Sequence, residues 1–445
     1  MDYHDVLGGL RQGWVGVPLA LLLAFGGCAD DGGGSGSSEE SGPSSESGTV
    51  ATTTDDPSTS ASNGTYGTAG TIGTDSSSGT TPTVTSLDGS TGDTMIACGN
   101  GEQAPGEFCF EPAQTVLSTP AGALITADFN DDGVPDLAAG TEDGVSILVG
   151  LGDGTFASEP ELAAASGVLA LAVADLDADG RADLVSANAN ANSITVWFSA
   201  GDGTFVEGAT VAVGTFPRAL ALGHTDDDGL LDLVVVNETS DDVTILGGFG
   251  DGTFAEVQTL LVGTAPAAIT SASRPETPLT SLLVVNFGSD SVIPLQADET
   301  GFMAGAAVAV GGGPRAIAMA DLNGDQVPDI ATADESANGV TILAGVGDGS
   351  FVLEQQLVAG DAPRDLLTSD LDGDGQAELV VALQGDNAIG VLRRDDDGWL
   401  PAQNIPTAPQ PVALAAADFN GDGAIDLAAA TAASDGGVVV LLSDP

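Results

Sequence analysis

Short apolar runs alternate with polar turns along most of this chain, and their length is that of β-strands. In one representative stretch, apolar runs occupy Leu169–Ala174, Leu184–Ala187 and Ser193–Phe198, and a Gly-Asp-Gly turn leads into a fourth run that begins near Phe205. Runs of this length, bounded by Asp, Asn and Gly, predict four strands joined by tight turns. No stretch of ten residues has helical periodicity, which excludes an α-helical solenoid.

The four-strand pattern recurs at intervals of 47–49 residues, each time with an acidic loop between the first two strands. The loops read DFNDDGVPD at 128–136, DLDADGRAD at 175–183, HTDDDGLLD at 224–232, DLNGDQVPD at 321–329, DLDGDGQAE at 370–378 and DFNGDGAID at 418–426. A degenerate seventh copy, SRPETPLTS, begins at Ser273. One supersecondary unit repeated seven times predicts an all-β, seven-bladed β-propeller of four-stranded blades.

The ends of the repeat array predict how the ring closes. The last copy stops at VVVLLSDP after its third strand, whereas an extra segment, FEPAQTVLS, begins at Phe110 before the first copy. An N-terminal strand that completes the C-terminal blade would leave no open edge between first and last units. The alternative is an open β-solenoid with two unfinished ends. A recurring aromatic at the start of each fourth strand is predicted to pack between blades, at Phe156, Phe205, Phe254, Phe302, Phe351 and Trp399.

The N-terminal region has a different composition. Residues 15–25 (VGVPLALLLAF) follow Arg11 and precede FGGC, a pattern that resembles a bacterial lipoprotein signal and implies lipidation of Cys28. An ordinary cleaved secretory signal is the alternative, and Asp2 and Asp5 depart from the usual basic start. The domain prediction is a signal peptide at 1–27, a disordered Ser/Thr/Gly-rich acidic linker at 28–96 and the propeller at 97–445. Export favours a local disulfide between Cys98 and Cys109.

The charge balance narrows the choice of partner. Acidic residues outnumber basic ones 65 to 8, giving a formal charge of −57, and all eight basic residues are Arg. Nucleic acid is therefore excluded, because its phosphates require a basic surface. We expect a monomer in a calcium-rich setting outside the cytoplasm, either a lipoprotein of the outer membrane or cell surface, or a secreted protein.

The loop pattern D-x-D/N-x-D-G-x-x-D carries the predicted chemistry. Positions 1, 3 and 5 offer side-chain oxygens, Gly at position 6 permits the bend, position 7 offers a carbonyl, and position 9 adds a carboxylate. A flexible set of oxygen ligands suits Ca²⁺ better than Mg²⁺ or transition metals. We expect about five or six Ca²⁺ ions with a structural role. Merely acidic turns are the alternative.

From about residue 108 to the end the chain resembles FG-GAP/VCBS repeat proteins, a family similar to the N-terminal β-propeller of integrin α subunits. EF-hand and dockerin-type modules place a helix after the loop, whereas strand-like DLAAG, DLVSAN and DLVVVN follow here. The resemblance implies calcium ligands at Asp128, Asn130, Asp132, Asp136, Asp175, Asp177, Asp179, Asp183, Asp321, Asn323, Asp325, Asp329, Asp370, Asp372, Asp374, Glu378, Asp418, Asn420, Asp422 and Asp426.

Three copies depart from the pattern. His224 replaces the first Asp of the third loop, which predicts a weakened calcium site of Asp226, Asp228 and Asp232, with a transition-metal site as the alternative. Gln326 stands where Gly is preferred, so a strained bend is expected there. The degenerate fourth copy is predicted to hold no metal.

Chemistry beyond the loops is sparse. Arg218, Arg315 and Arg364 each follow a Pro and precede a loop by six residues, which predicts a cluster at the opposite end of the blades. It either binds an anionic group or pairs with neighbouring acidic turns. After residue 27 the chain has one His and no Lys, so we expect no enzyme. The resemblance implies a binding or adhesion module for protein or glycan. A polysaccharide-acting enzyme of the lyase type and a purely structural envelope protein are the alternatives.

Overall fold

The computed structural model describes residues 108–163, 166–273, 280–298, 301–395, 398–434 and 436–443. The predicted signal peptide, the predicted linker, Cys28 and Cys98 lie outside these residues. Within them the strands form seven antiparallel blades, so the predicted all-β, seven-bladed propeller is confirmed. The only helical elements in the described ranges are 3₁₀ turns at Ala189–Ala191, Phe287–Ser289 and Glu335–Ala337. No helix in this part of the chain is long and apolar enough to cross a membrane.

Blades 1 to 3 follow one plan, in which each strand pairs with the next along the chain. Blade 1 contains β2 (Ala121–Ala127), β3 (Asp136–Thr141), β4 (Val145–Gly150) and β5 (Phe156–Ser158); blade 2 contains β6 (Val168–Ala174), β7 (Asp183–Asn188), β8 (Ser193–Ser199) and β9 (Phe205–Ala212); blade 3 contains β10 (Pro217–Gly223), β11 (Asp232–Asn237), β12 (Asp242–Gly248) and β13 (Phe254–Leu261).

Blades 4 and 6 keep the first three strands and vary the fourth, whereas blade 5 follows the plan of blades 1 to 3. Blade 4 contains β14 (Pro266–Ser273), β15 (Thr280–Asn286), β16 (Ser291–Asp298), β17 (Gly301–Ala304) and β18 (Val308–Ala309); blade 5 contains β19 (Pro314–Ala320), β20 (Asp329–Asp334), β21 (Gly339–Gly345) and β22 (Phe351–Val358); blade 6 contains β23 (Pro363–Ser369), β24 (Glu378–Leu383), β25 (Ala388–Leu392) and β28 (Gln403–Pro406), with a hairpin of β26 (Arg394–Asp395) and β27 (Gly398–Trp399) before the fourth strand. In blade 4 both β17 and β18 pair with β16.

Blade 7 takes its outer strand from the start of the propeller. It contains β29 (Pro411–Ala417), β30 (Asp426–Thr431) and β31 (Val438–Leu441), and β1 (Gln114–Leu117) pairs antiparallel with β31. Phe110 adds a bridge to Ser443 and is itself buried. The first strands of adjacent blades contact one another around the ring, including β29 with β2.

The core consists of seven apolar clusters, and each one lies between two adjacent blades. The second strands explain why, because they are apolar on both faces and every residue of β3, β7 and β11 is buried. A strand that is covered on both sides reads as a continuous apolar run rather than as an alternation. One face contributes to the cluster with the preceding blade, and the other face to the cluster with the next blade.

The recurring aromatics pack as the sequence predicts. Phe254 and Phe302 are buried members of inter-blade clusters, and Phe156, Phe205, Phe351 and Trp399 pack against such clusters while half-buried. The ring of Phe205 meets that of Phe129 from the preceding blade edge-on, with 5.5 Å between centroids. These aromatics therefore join neighbouring blades.

Candidate metal loops

Each acidic loop connects the first strand of a blade to the second, and blade 2 shows how its residues are held. Both oxygens of Asp175 accept backbone N–H groups, from Asp179 at 3.1 Å and from Gly180 at 3.0 Å. Asp177 also accepts the N–H of Asp179, at 3.1 Å, and Asp179 accepts that of Arg181 at 3.0 Å. The carboxylates at positions 1, 3 and 5 thus cap the turn in Asx-type geometry.

The backbone of the loop explains the residue preference at position 6. Gly133 and Gly180 have φ values of 83° and 90°, in the left-handed region that glycine enters without steric cost. Gln326 adopts the same conformation with φ of 67°, and its N–H donates to Asp321 Oδ2 at 2.8 Å. The predicted strained bend is therefore present in blade 5, held by the hydrogen bond that glycine makes elsewhere.

The carboxylate at position 9 is the most enclosed group of the loop. Asp183 is fully buried, and its two oxygens accept the N–H of Leu176 and of Ser199, both at 2.9 Å. Because Ser199 ends the third strand, this side chain ties the loop to two parts of the blade. The same double acceptance occurs at Asp136, Asp232, Asp329 and Asp426. Glu378 accepts the N–H of Leu371 at 2.8 Å.

Burial raises the pKa of these position-9 carboxyls, although backbone N–H donors oppose the rise. The pKa of Asp136 and of Asp426 is raised to about 6, and that of Glu378 to about 7. Burial likewise raises the pKa of Asp183 and Asp329. The negative charges of the other loop carboxyls add to the rise in each case. A cation in the loop would offset this repulsion.

Two loops bring three carboxylates close enough to share one ion. Oxygens of Asp175, Asp177 and Asp183 lie within 4.8 Å of one another, and so do oxygens of Asp370, Asp372 and Asp374. Both sets contain only hard oxygen donors, which fit Ca²⁺. In the described residues these are the two acidic groups with that spacing.

The loops of blades 1, 5 and 7 have Asn at position 3, so they hold fewer carboxylates. Asn130 Oδ1 accepts the N–H of Asp132 at 3.0 Å, and Asn420 and Asn323 accept in the same way from Asp422 and Asp325. Position 1 keeps its role, since Asp128, Asp321 and Asp418 each accept loop N–H groups. The predicted residues of these loops therefore form the same turn. Their Asn side-chain oxygens stand where the other loops have a carboxylate oxygen as a possible metal ligand.

His224 changes the chemistry of the blade 3 loop. Its Nδ1 lies 2.8 Å from the carbonyl oxygen of Leu230, the position-7 group that the loop pattern assigns to the metal. Asp226 and Asp228 keep their turn hydrogen bonds, and Asp232 accepts both the N–H and the hydroxyl of Thr225 at 2.6 Å. The ring thus occupies one predicted ligand, in keeping with a weakened site.

The three arginines gather at the other end of the blades, where they pair with carboxylates. Arg218 contacts Glu238 at 3.2 Å, and Arg315 joins Glu238 at 3.3 Å to Glu335 at 2.6 Å. Arg364 also contacts Glu335, at 2.9 Å. Of the two interpretations of this cluster, the structure therefore shows pairing with acidic residues. We call these five residues the arginine ladder.

The arginine ladder spans blade 4, although none of its five charged residues belongs to that blade. Arg315 comes from blade 5 and Glu238 from blade 3, and the guanidinium lies 3.7 Å from the ring centroid of Phe287 in blade 4. Burial, with the nearby Arg315 and Arg364, holds the pKa of Arg218 below its usual value despite the opposing effect of Glu238. Burial raises the pKa of Glu335, but the hydrogen bond from Arg315 and the two positive charges outweigh it and lower that pKa.

A second set of buried polar groups was not predicted from the sequence. Asn188 and Asn237 end the second strands of blades 2 and 3, and their Nδ2 atoms donate to Thr195 and Thr244 at 2.9 Å. Asp334 holds the equivalent place in blade 5 and accepts the hydroxyl of Thr332 at 2.8 Å. The available signal was the polar residue that closes each strand-like run (DLVSAN, DLVVVN, DIATAD).

Cys109 is disulfide-bonded. Its predicted partner Cys98 lies outside the described residues, so the Cys98–Cys109 pairing stays a prediction. The lipidation of Cys28 likewise stays a prediction.

Seven blades, six of which carry an acidic loop at the first turn, define a class of repeat propeller. The profile of FG-GAP-like repeats matches residues 128–186, 175–223, 321–381 and 370–429, and each match begins at the first residue of an acidic loop. The chain is an FG-GAP repeat β-propeller, as the resemblance implied.

Solved structures agree on the fold. A protein from Lactobacillus plantarum is 20% identical over 72% of this chain and 97% of its own, with a TM-score of 0.53. A candidate 6-phosphogluconolactonase from Bacteroides fragilis is 17% identical over 73% and 99%, with a TM-score of 0.53. A catalytically inactive virginiamycin B lyase from Staphylococcus aureus is 14% identical over 76% and 99%, with a TM-score of 0.51. At these identities the likeness shows the fold alone. No curated protein matches the sequence.

Proposed function

We propose that the chain is a calcium-stabilised propeller that binds a protein or a glycan at the surface of a bacterial cell. In this proposal the lipidated Cys28 anchors the protein, and the acidic linker carries the propeller away from the membrane. The observation that supports calcium most directly is the gathering of three carboxylates in the loops of blades 2 and 6. Five or six ions in all would bind, one in each acidic loop.

The metal in this proposal stabilises the fold and performs no reaction. The acidic loops connect the first two strands in six blades, and five of their position-9 carboxylates already accept a backbone N–H at the end of the third strand. An ion bound with a dissociation constant of tens to hundreds of micromolar would add about 1–3 kcal/mol to the folded state at millimolar calcium. Several such contributions are comparable with the net stability of a whole domain.

The side-chain inventory supports a binding module over an enzyme. His224 is engaged with a backbone carbonyl, Cys109 is in a disulfide, and the chain has no Lys. A polysaccharide-acting enzyme of the lyase type is the second candidate, and a purely structural envelope protein is the third. The described residues show no set of reactive side chains that would support the enzyme.

The test uses the purified full chain, loaded with calcium or treated with a chelator, on panels of glycans and of extracellular proteins. The proposal predicts binding to at least one panel member, which weakens when calcium is removed and the fold loosens. Shortening of a polysaccharide during the incubation would favour the enzyme. No binding by a folded, calcium-loaded protein would favour the structural role.

A further inference from the structure

A groove opens between the outer edges of blades 5 and 6. It has a volume of about 520 Å³ and lies between strand β22 and the segment that contains β27 and β28. It exists because blade 6 forms its outer strand late. In blades 2, 3 and 5 the fourth strand has eight residues, whereas blade 6 pairs Arg394–Asp395 with Gly398–Trp399 and keeps only four residues, Gln403–Pro406, for β28.

The lining of the groove carries no charge. Its twelve described lining residues include no Asp, Glu, Arg or His, although the whole chain has a formal charge of −57. The amides of Gln355, Gln356 and Asn404 are exposed along the groove, and half-buried Leu357 and Trp399 provide apolar surface. Glu354 on β22 and Arg394 on β26 form an ion pair at 2.9 Å.

Trp399 differs from the other tryptophan in the described residues. The indole N–H of Trp197 donates to Ser186 Oγ at 3.2 Å, whereas the Nε1 of Trp399 is buried and has no acceptor. A buried donor without a partner is costly and rare in folded proteins. This unsatisfied N–H, on a residue that lines the groove, is the second observation that points to a ligand.

We propose that this groove binds a neutral saccharide. Amide side chains both donate and accept hydrogen bonds, which matches hydroxyl groups that do the same. A pyranose ring also has an apolar C–H face that can lie against the indole and Leu357. After a small rotation of the ring, a ligand hydroxyl would satisfy the indole N–H.

Charge decides between this ligand and its rivals. An anionic polymer would be repelled by the acidic protein, and the described lining residues include no cation to receive it. A charged peptide would likewise find no charged partner among the lining side chains. The inference rests on the proposed binding function and names its ligand class and its site.

Tryptophan fluorescence provides a direct test. The full chain, kept in calcium, is titrated with malto-, cello- and N-acetylchito-oligosaccharides, with polygalacturonate and an uncharged extended peptide as rivals. Trp399→Phe is titrated in parallel, so that the signal from Trp14 and Trp197 can be subtracted. Calorimetry measures affinity in variants that lack the fluorescent ring.

The proposal predicts that at least one neutral oligosaccharide changes the Trp399 emission. Trp399→Phe removes the N–H and part of the platform, and binding should weaken about tenfold. Asn404→Ala should weaken binding about three- to tenfold by removing an amide partner. Gln296→Ala, an exposed amide on blade 4, is the matched control and should leave the affinity unchanged.

Binding of polygalacturonate or peptide alone, or no response to any neutral saccharide, would overturn the proposal. A saccharide affinity that Trp399→Phe and Asn404→Ala leave unchanged would place the ligand elsewhere and overturn it as well. A melting curve with and without calcium is recorded on each sample. Failure of the calcium proposal would appear there, and failure of the groove would appear only in the titration.

Discussion

Blade 2 and blade 4 build the same antiparallel sheet with different chemistry at their ends. Blade 2 turns from β6 to β7 through a loop with four carboxylates at the predicted ligand positions, whereas the copy in blade 4 contains one acidic residue, Glu276. At the opposite end, blade 4 presents Phe287 to the guanidinium of Arg315, which joins blades 3 and 5 across it. In blade 2 the equivalent position is Ala189, which is buried.

This comparison distinguishes the features that a blade needs in order to fold from the acidic loop, which it does not need. Strands β14 and β15 pair in the same register as β6 and β7, and both blades contribute to apolar clusters with their neighbours. The blade therefore forms without an acidic loop. Carboxylates that repel one another need a separate explanation, and a bound cation would supply it.

The largest effect is expected from the buried carboxylate of blade 2. Asp183→Ala leaves the N–H groups of Leu176 and Ser199 without acceptors, and hydrogen bonds to a charged group are strong, so we expect a loss of about 3–5 kcal/mol. Urea unfolding at neutral pH measures it. Asp202→Ala, in an exposed turn of the same blade, should cost far less. Equal losses would show that Asp183 does not hold the loop.

The second-largest loss of stability is expected from the part of the arginine ladder that spans blade 4. Arg315→Ala leaves Glu238 and Glu335 each with one partner fewer and uncovers Phe287, and the expected loss is about 2–4 kcal/mol. Hydrogen exchange should rise most in β14 and β15. The control is Arg394→Ala, which breaks a single, more exposed pair and should cost about 1 kcal/mol or less. A uniform increase in hydrogen exchange over all blades would argue against a local effect of the arginine ladder on blade 4.

A smaller effect, of opposite sign, is expected at Asp334. Burial raises the pKa of this carboxyl to about 6, against the opposing hydrogen bonds from Thr341 and Thr332. The folded state therefore binds more protons than the unfolded state between pH 3.8, the ordinary pKa of an Asp carboxyl, and about pH 6, and stability falls as pH rises through that window. Asp334→Asn should remove this penalty and gain about 1–3 kcal/mol at pH 7.

Blades 2 and 3 provide a natural reference for Asp334→Asn, because Asn already occupies the equivalent position in both. Its advantage should shrink below pH 4, where the carboxyl is neutral in both states. Unfolding curves of wild type and variant at pH 4 and pH 7 check the prediction. A gain of the same size at both values would mean that packing, and not ionisation, causes it.

The smallest change in stability is expected from Asp177→Asn with a chelator present. The carboxylate of Asp175 lies within 4.8 Å of that of Asp177 and repels it. Asp177 accepts one turn hydrogen bond, which Asn can also accept, so stability should change by less than about 0.5 kcal/mol. With calcium present, the variant should bind one ion fewer or bind it more weakly. Metal analysis after equilibrium dialysis detects the difference, and an unchanged stoichiometry would remove Asp177 from the ligand set.

The sequence predicted the architecture because the repeat states it seven times. The strands expected in blade 2 begin and end within one or two residues of β6, β7 and β8, and the aromatics lie between blades as predicted. A period of about 48 residues and a strict loop pattern leave few alternative topologies. The local pattern also predicted the turn and the strained bend at Gln326, whose φ is 67°.

The contacts that join distant parts of the chain could not be predicted in this way. The sequence placed Arg315 and Glu238 at one end of the blades, but their pairing depends on a side chain that reaches over the intervening blade. The groove beside Trp399 depends on how late β28 begins, which is a matter of strand pairing rather than composition. The double backbone contact of five position-9 carboxylates involves the end of a strand 14–17 residues away and has no signal in the loop itself.

The central claim, that the acidic loops hold structural calcium, is tested most directly by titrating the full chain with calcium while following thermal melting and bound metal together. The account predicts about five or six bound ions and a melting temperature that climbs as the sites fill. It also predicts that the loops of blades 2 and 6 fill at the lowest concentrations. A protein that binds no calcium, or one whose melting is indifferent to a chelator, would contradict the claim and leave the propeller as a fold held by its apolar clusters alone.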